Sequence, residues 1–120
     1  MSLKNTLTEI VENIPGGRAV VIMASDGIPI DQVVLDEGGL DLQLLTVEYS
    51  TLLGDIRRAV ELLQVGEMEE ISITSGEMRV ILRVLSRELF VILVMDRDAS
   101  VGKGRYLLRL KSHELCRDLL

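Results

Sequence analysis

Two short stretches, Ala19-Val20-Val21-Ile22-Met23-Ala24 and Leu89-Phe90-Val91-Ile92-Leu93-Val94-Met95, are apolar at every position. Successive side chains of a strand point to opposite faces, so a stretch that is apolar throughout must be covered on both sides. Both segments therefore belong in the middle of a sheet that is packed above and below. Neither can cross a membrane: the longest uninterrupted apolar run is Leu89 to Met95, against the roughly 18 residues that a spanning helix needs.

The remaining segments fall into place around those two strands. Ser2 can cap a helix whose apolar face is Leu3, Leu7, Ile10, Val11 and Ile14, stopped by Pro15-Gly16-Gly17. Ser25-Asp26-Gly27 is a hairpin turn, and it leads into Ile28 to Val34. Pro29 removes a ladder donor there and places that strand at a sheet edge. An acidic loop, Asp36-Glu37-Gly38-Gly39, precedes a long helical pattern from about Asp41 to Gln64, which Gly66 ends. Glu69 to Thr74 alternates, with Ile71 and Ile73 inward, as a second edge strand. Turns at Ser75-Gly76-Glu77 and Ser86-Arg87-Glu88 then define strands Met78–Leu85 and Leu89–Met95. After a loop from Asp96 to Gly104, Arg105 to Leu119 forms a closing amphipathic helix. The expected fold is α+β, an α/β sandwich in the order α-β-β-α-β-β-β-α. It has a single five-stranded, largely antiparallel sheet flanked by three helices, and residues 1–120 form one domain.

Charge narrows the function. Residues 1–56 carry two cations (Lys4, Arg18) against nine acids, a net of −7, within a whole-chain net of −6. With Tyr49, Phe90 and Tyr106 its three aromatics, the chain has neither the basic patch nor the stacking surface that nucleic acid requires. Anionic membranes are disfavoured by the same sign. The lone Cys116 excludes an internal disulfide framework and fits a cytoplasmic protein. The N-terminal residues lack the apolar core of a secretory leader. A mean hydropathy of +0.32 on so short a chain leaves apolar surface that needs a destination outside the monomer.

Catalytic and cofactor chemistry find no foothold. His113 and Cys116 share a helix face, but the chain has no other histidine or cysteine to complete a nitrogen and sulfur metal site. Asp96-Arg97-Asp98-Ala99-Ser100-Val101 begins like a calcium loop, yet Val101 stands where glycine is required and Leu107 where the bidentate glutamate should be. Gly102-Lys103-Gly104 is not a phosphate loop, since Arg97 and Gly104 replace its first glycine and its hydroxyl residue. It is either a tightly packed helix start or a weak anion site. No catalytic residue, cofactor or metal is assigned.

The long middle helix offers an interface. At 100° per residue, Leu42, Leu45, Tyr49, Leu52, Leu53, Ile56, Val60 and Leu63 form one arc suited to packing on the sheet. Leu44, Val47 and Leu62 lie outside it, separated by the small Thr51 and Gly54. A mid-helix glycine costs about 1 kcal/mol relative to alanine, which a close helix approach would explain. Two copies packed antiparallel about a two-fold axis near position 53 bring Leu44 to the partner's Leu62, Glu48 to the partner's Arg58, and Asp55 near Thr51. The edge strand carrying Ile71 and Ile73 follows directly and can pair with its twin.

Three segments carry a family resemblance: Asp26-Gly27-Ile28-Pro29-Ile30, the passage from Arg57-Arg58-Ala59-Val60 to Glu69-Glu70-Ile71, and Ala99-Ser100-Val101-Gly102-Lys103-Gly104-Arg105. In this order the chain resembles the roadblock domain proteins (dynein light-chain roadblock type), and among them the bacterial MglB-like members. The resemblance implies a homodimer with a continuous ten-stranded sheet and two central helices side by side. It also implies binding of a small Ras-like, MglA-like GTPase, with stimulation of GTP hydrolysis by some members. Asp36, Glu37, Arg57, Arg58 and Glu61 are the expected partner-binding residues. A non-catalytic dimeric scaffold and an anion-binding domain are the alternatives.

Overall fold

The computed structural model describes residues 2–119, without the side chain of Asp118. Three helices and five strands follow in the expected order: α1 (Leu3–Glu12), β1 (Gly17–Ala24), β2 (Pro29–Val34), α2 (Leu42–Leu63), β3 (Glu70–Thr74), β4 (Met78–Val84), β5 (Leu89–Asp96) and α3 (Val101–Asp118). The sheet runs β2-β1-β5-β4-β3, and every neighbouring pair is antiparallel. The two wholly apolar segments, in β1 and β5, occupy interior positions, and β2 and β3 are the edges.

The alternation of the strands divides the core in two. On one face Val20, Ile22, Ile81, Val91, Leu93 and Met95 pack against Leu7, Ile10 and Val11 of α1 and Leu108 and Leu115 of α3. On the other, Val21, Met23, Val80, Leu82, Phe90 and Ile92 meet Leu42, Leu45 and Leu53 of α2. The first face is closed over β1 and β5. Ser2 Oγ caps α1 by accepting from the Asn5 N–H at 3.1 Å, and Lys111 Nζ ties α3 to Glu9 of α1 at 2.8 Å. The backbones of α1 and α3 run close to one another and to the strands beneath, whereas α2 stands off from its face of the sheet and bridges the gap with long side chains.

Two helix ends differ from the sequence expectation. α3 begins four residues before Arg105, because Ser100 Oγ accepts from the Lys103 N–H at 3.1 Å and the Ser100 carbonyl from the Gly104 N–H at 3.1 Å. A serine N-cap outweighs the helix-weakening glycines that follow it. Gly104 is buried as a result: a Cβ there would lie 3.0 Å from both Leu93 Cδ2 and Met95 Sδ and 3.2 Å from Ile81 Cδ1. At the end of α2, Gln64 rather than Gly66 takes the left-handed cap position (φ 56°). Leu63, expected against the sheet, is 70% exposed. All residues from Glu61 to Glu67 are exposed, so the burial of α2 ends before its last turn.

Candidate functional site

α2 starts from a capped position, with Asp41 Oδ1 accepting from the Leu44 N–H at 3.0 Å. Most of its sheet-facing residues are buried or half-buried, and its opposite face presents a stripe to solvent. Leu44, Val47 and Leu62 are 56%, 55% and 79% exposed, and Glu48, Thr51, Asp55 and Arg58 are exposed between them. Gly54 is at the centre of this stripe, and a Cβ there would meet nothing within 4 Å. The glycine is therefore not required by packing inside one protomer. Arg58 Nη2 already pairs with Asp55 Oδ1 of its own chain at 3.2 Å, a contact that competes with any pairing to a second copy's Glu48.

The two sheet edges differ. In β2, Pro29 has no N–H. The Leu35 N–H donates to the Arg18 carbonyl, so alternation turns the Gln32 N–H outward. That outward group is capped by Asp31 Oδ1 at 2.8 Å, and Asp31 is itself paired with Lys4 at 3.1 Å. In β3, the Val84 N–H donates to the Glu69 carbonyl, which turns the Glu70, Ser72 and Thr74 N–H groups toward the edge. Its register with β4 is regular from Glu70 to Thr74. Ile71 and Ile73 pack against the α2-side core, so the groups that β3 can offer a second copy are backbone ones. β2 is blunted against pairing and β3 is not.

The residues expected to bind a partner fall into two groups. Asp36 and Glu37 are exposed in the loop before α2, while Arg57, Arg58 and Glu61 occupy its C-terminal third. A rise of about 1.5 Å per residue places the two groups roughly 20 Å apart along the helix, so one protomer does not bring them together. Arg57 and Glu61 line a cleft of about 610 Å³ with Glu67, Met68, Glu69 and Arg87, and Arg57 Nη1 reaches the Arg87 carbonyl at 3.4 Å. The acidic loop is held from beneath by Arg18, a buried cation not singled out from the sequence. Its Nη2 donates to the Glu37 carbonyl at 2.7 Å, its Nε lies 3.8 Å from Asp96 Oδ1, and its own carbonyl accepts from the Leu35 and Asp36 N–H groups. Gly38 takes the left-handed conformation there (φ 51°), and a Cβ would push against the Arg18 guanidinium. A lone arginine opening an apolar strand, followed 20 residues later by Gly38-Gly39, was the available signal.

Gly102-Lys103-Gly104 is the packed helix start rather than an open anion cradle, since the Lys103 and Gly104 N–H groups are taken by Ser100. His113 is exposed, and the half-buried Cys116 donates to the Leu85 carbonyl at 3.6 Å. Burial pushes the Cys116 thiol above its ordinary range. Among the described residues no group of three or more His, Cys, Asp or Glu is placed to hold a metal ion, and no helix is long and apolar enough to cross a membrane.

Three helices around a five-stranded antiparallel sheet, in the order α-β-β-α-β-β-β-α, define an α+β sandwich. The solved structure of MglC from Myxococcus xanthus is 34% identical to this chain, covers 98% of it and 99% of its own length, and superposes with a TM-score of 0.70. The chain belongs to the roadblock/LC7 family. Its backbone also matches the gliding protein MglB from Thermus thermophilus (17% identity, 97% of this chain and 87% of that one, TM-score 0.85). A roadblock/LC7 domain from Streptomyces avermitilis matches as well (14% identity, 99% and 98%, TM-score 0.85). No protein-family model and no curated protein sequence matches the chain.

Proposed function

We propose that this protein is a homodimeric regulator in the cytoplasm that binds a small Ras-like, MglA-like GTPase and stimulates GTP hydrolysis by ordering its switch loops. The observation that carries the dimer is the coincidence, in one protomer, of an exposed Leu44–Val47–Leu62 stripe centred on the unfilled Gly54 and an unblunted β3 edge. Antiparallel pairing of two α2 helices with a two-fold axis near position 53 covers the stripe, and pairing of two β3 strands makes one ten-stranded sheet. In that arrangement the acidic loop at Asp36 and Glu37 of one chain lies toward the C-terminal end of the partner's α2. The dimer thereby gathers the two groups of candidate binding residues that a protomer keeps apart.

Membership of the roadblock family supports the GTPase as partner. In this reading stimulation acts through the GTPase's own active site, with this protein ordering it from outside. Phosphoryl transfer is dominated by positioning and electrostatics, and ordering a switch loop is enough to accelerate it. Arg57 and Arg58 are the alternative, as an arginine supplied in trans. GTP turnover by a cognate MglA-like GTPase, with and without saturating protein, is the test. Ordering predicts that Arg57→Ala and Arg58→Ala each keep maximal turnover within about tenfold of the parent; a loss of roughly 10³ or more would identify an arginine finger instead. A non-catalytic scaffold is the second reading. It stands because the 34% identical structure is an MglC, whereas the MglB from Thermus thermophilus, the kind of protein on which the expectation of stimulated hydrolysis rests, is 17% identical to this chain. Binding without any change in turnover would establish that reading.

A further inference from the structure

The sheet face opposite α2 carries a concentration of arginines that neither the dimer contacts nor the GTPase reading uses. Glu70 on β3 accepts from Arg83 Nη1 of β4 at 3.3 Å and from Arg105 Nε of α3, which fixes the side of the sheet they share. Strand alternation puts Ser72 of β3 and Arg79 of β4 on the same side, because Ile71, Ile73 and Val80 face α2. Arg109 lies one turn beyond Arg105 on the same flank of α3. Arg83 and Arg105 thus hold Glu70 between them, with Arg79 four residues along β4 from Arg83 and Arg109 one turn along α3 from Arg105, in a chain whose net charge is −6. Glu70 is already doubly paired. Arg79 and Arg109 have no ion-pair partner among the described residues, and the Arg79 Nε is buried with no hydrogen-bond partner. α3 runs close to β4 rather than over β3, so Ser72 remains exposed at the floor.

We propose that this side of β3, β4 and α3 is a docking site for an acidic, extended segment of a partner protein. Arginine forks match carboxylates in paired, directional hydrogen bonds, and Arg79 and Arg109 carry charge that no acid of the described residues neutralises. Each half of the site stands within one chain. If β3 pairs with its twin, as proposed above, the halves abut across the two-fold axis and form one trough between two α3 helices. A short acidic segment fits better than nucleic acid. The acidic first half of the chain repels a long polyanion, whereas a short segment needs favourable charge only within a Debye length of the trough, about 8–10 Å.

The test is fluorescence anisotropy of a labelled oligoglutamate peptide on the intact chain at low salt, with an oligoglutamine peptide and oligo-dT as comparison ligands. Sedimentation in the same buffer reads the oligomeric state separately, so a failure of dimerisation is distinguished from a failure of this site. Glutamate is expected to bind and glutamine not to bind. The double variant Arg79→Gln/Arg109→Gln should weaken binding at least about tenfold, as expected for lost charge-assisted hydrogen bonds, with the oligomeric state unchanged. Lys103→Gln/Arg117→Gln, on the outward side of α3, should stay within about twofold, as screened surface charges do. Equal binding of both peptides, an equal loss in both double variants, or tighter binding of oligo-dT would overturn the proposal.

Discussion

The two faces of the sheet are made of the same kinds of residue but are finished to different degrees. On the α1/α3 side the strand residues, Leu108 and Leu115 are inaccessible, the helices are tied by Lys111–Glu9, and Gly104 lets α3 settle into contact with Leu93 and Met95. On the α2 side the strands are just as buried, but the covering helix stands off. Its outer face keeps Leu44, Val47 and Leu62 in water around a glycine that touches nothing. Exposed apolar residues scattered singly are ordinary, whereas a stripe along one helix beside an open strand edge is surface awaiting a partner. One face is completed within the chain, and the other is the one on which the proposed dimer draws.

Truncation should separate the faces most strongly. Leu108→Ala on the closed face is expected to cost about 2–5 kcal/mol in denaturant unfolding. Leu62→Ala should leave the unfolding of the dilute monomer within about 0.5 kcal/mol and weaken self-association instead. If Leu62→Ala destabilised the monomer as much as Leu108→Ala, the distinction would collapse. The two helix glycines give a sharper contrast. Gly104→Ala forces a Cβ to 3.0 Å from its neighbours and is expected to destabilise by about 1–3 kcal/mol. Gly54→Ala should raise monomer stability by up to about 1 kcal/mol through helix propensity, while Gly54→Leu drives the sedimenting species toward monomer. A dimer indifferent to leucine at position 54 would remove the close helix approach.

Smaller effects refine the register. Arg58→Glu should weaken the dimer and Glu48→Arg should partly restore it, with a coupling of up to about 1 kcal/mol because both side chains are exposed. The Arg58–Asp55 pair within each chain lowers the net gain further, and zero coupling in that cycle would shift the two-fold axis away from position 53. The smallest effect belongs to the closed face. The hydrogen bond from Lys111 to Glu9, with Glu114 nearby, holds the Lys111 ammonium above its ordinary value, although burial opposes it. A raised lysine favours the folded state at pH values below its unfolded value, and that contribution disappears as pH rises through the folded one. Lys111→Met should therefore flatten the alkaline end of the stability profile, which thermal melts across that range will register.

The sequence made most of this fold legible because its strongest signals are local. Two strands apolar on both faces can only be interior, and Pro29 can only be at an edge. Ser100 as a cap was readable too, but the glycines after it suggested a loop, and the serine's hydrogen bonds prevailed. Leu63 shows where periodicity stops being informative: it lies on the correct arc, yet the last turn of α2 is exposed all round. Arg18 was invisible as a clamp because its partners are a backbone carbonyl and an aspartate far along the chain. The exposed stripe on α2 follows from Gly54 and its apolar neighbours, and it is present. Asp36 and Glu37 are expected beside Arg57, Arg58 and Glu61 as partner-binding residues, yet one protomer keeps the two groups roughly 20 Å apart along the helix, a separation that periodicity alone does not display.

Amide hydrogen exchange at the two sheet edges, followed as the protein is diluted, tests the association most directly. The outward N–H groups of Glu70, Ser72 and Thr74 on β3 should be protected in concentrated solution and lose that protection on dilution. Those of Ile30 and Val34 on β2 should exchange rapidly throughout. Equal exchange at both edges at every concentration would contradict a dimer built through β3.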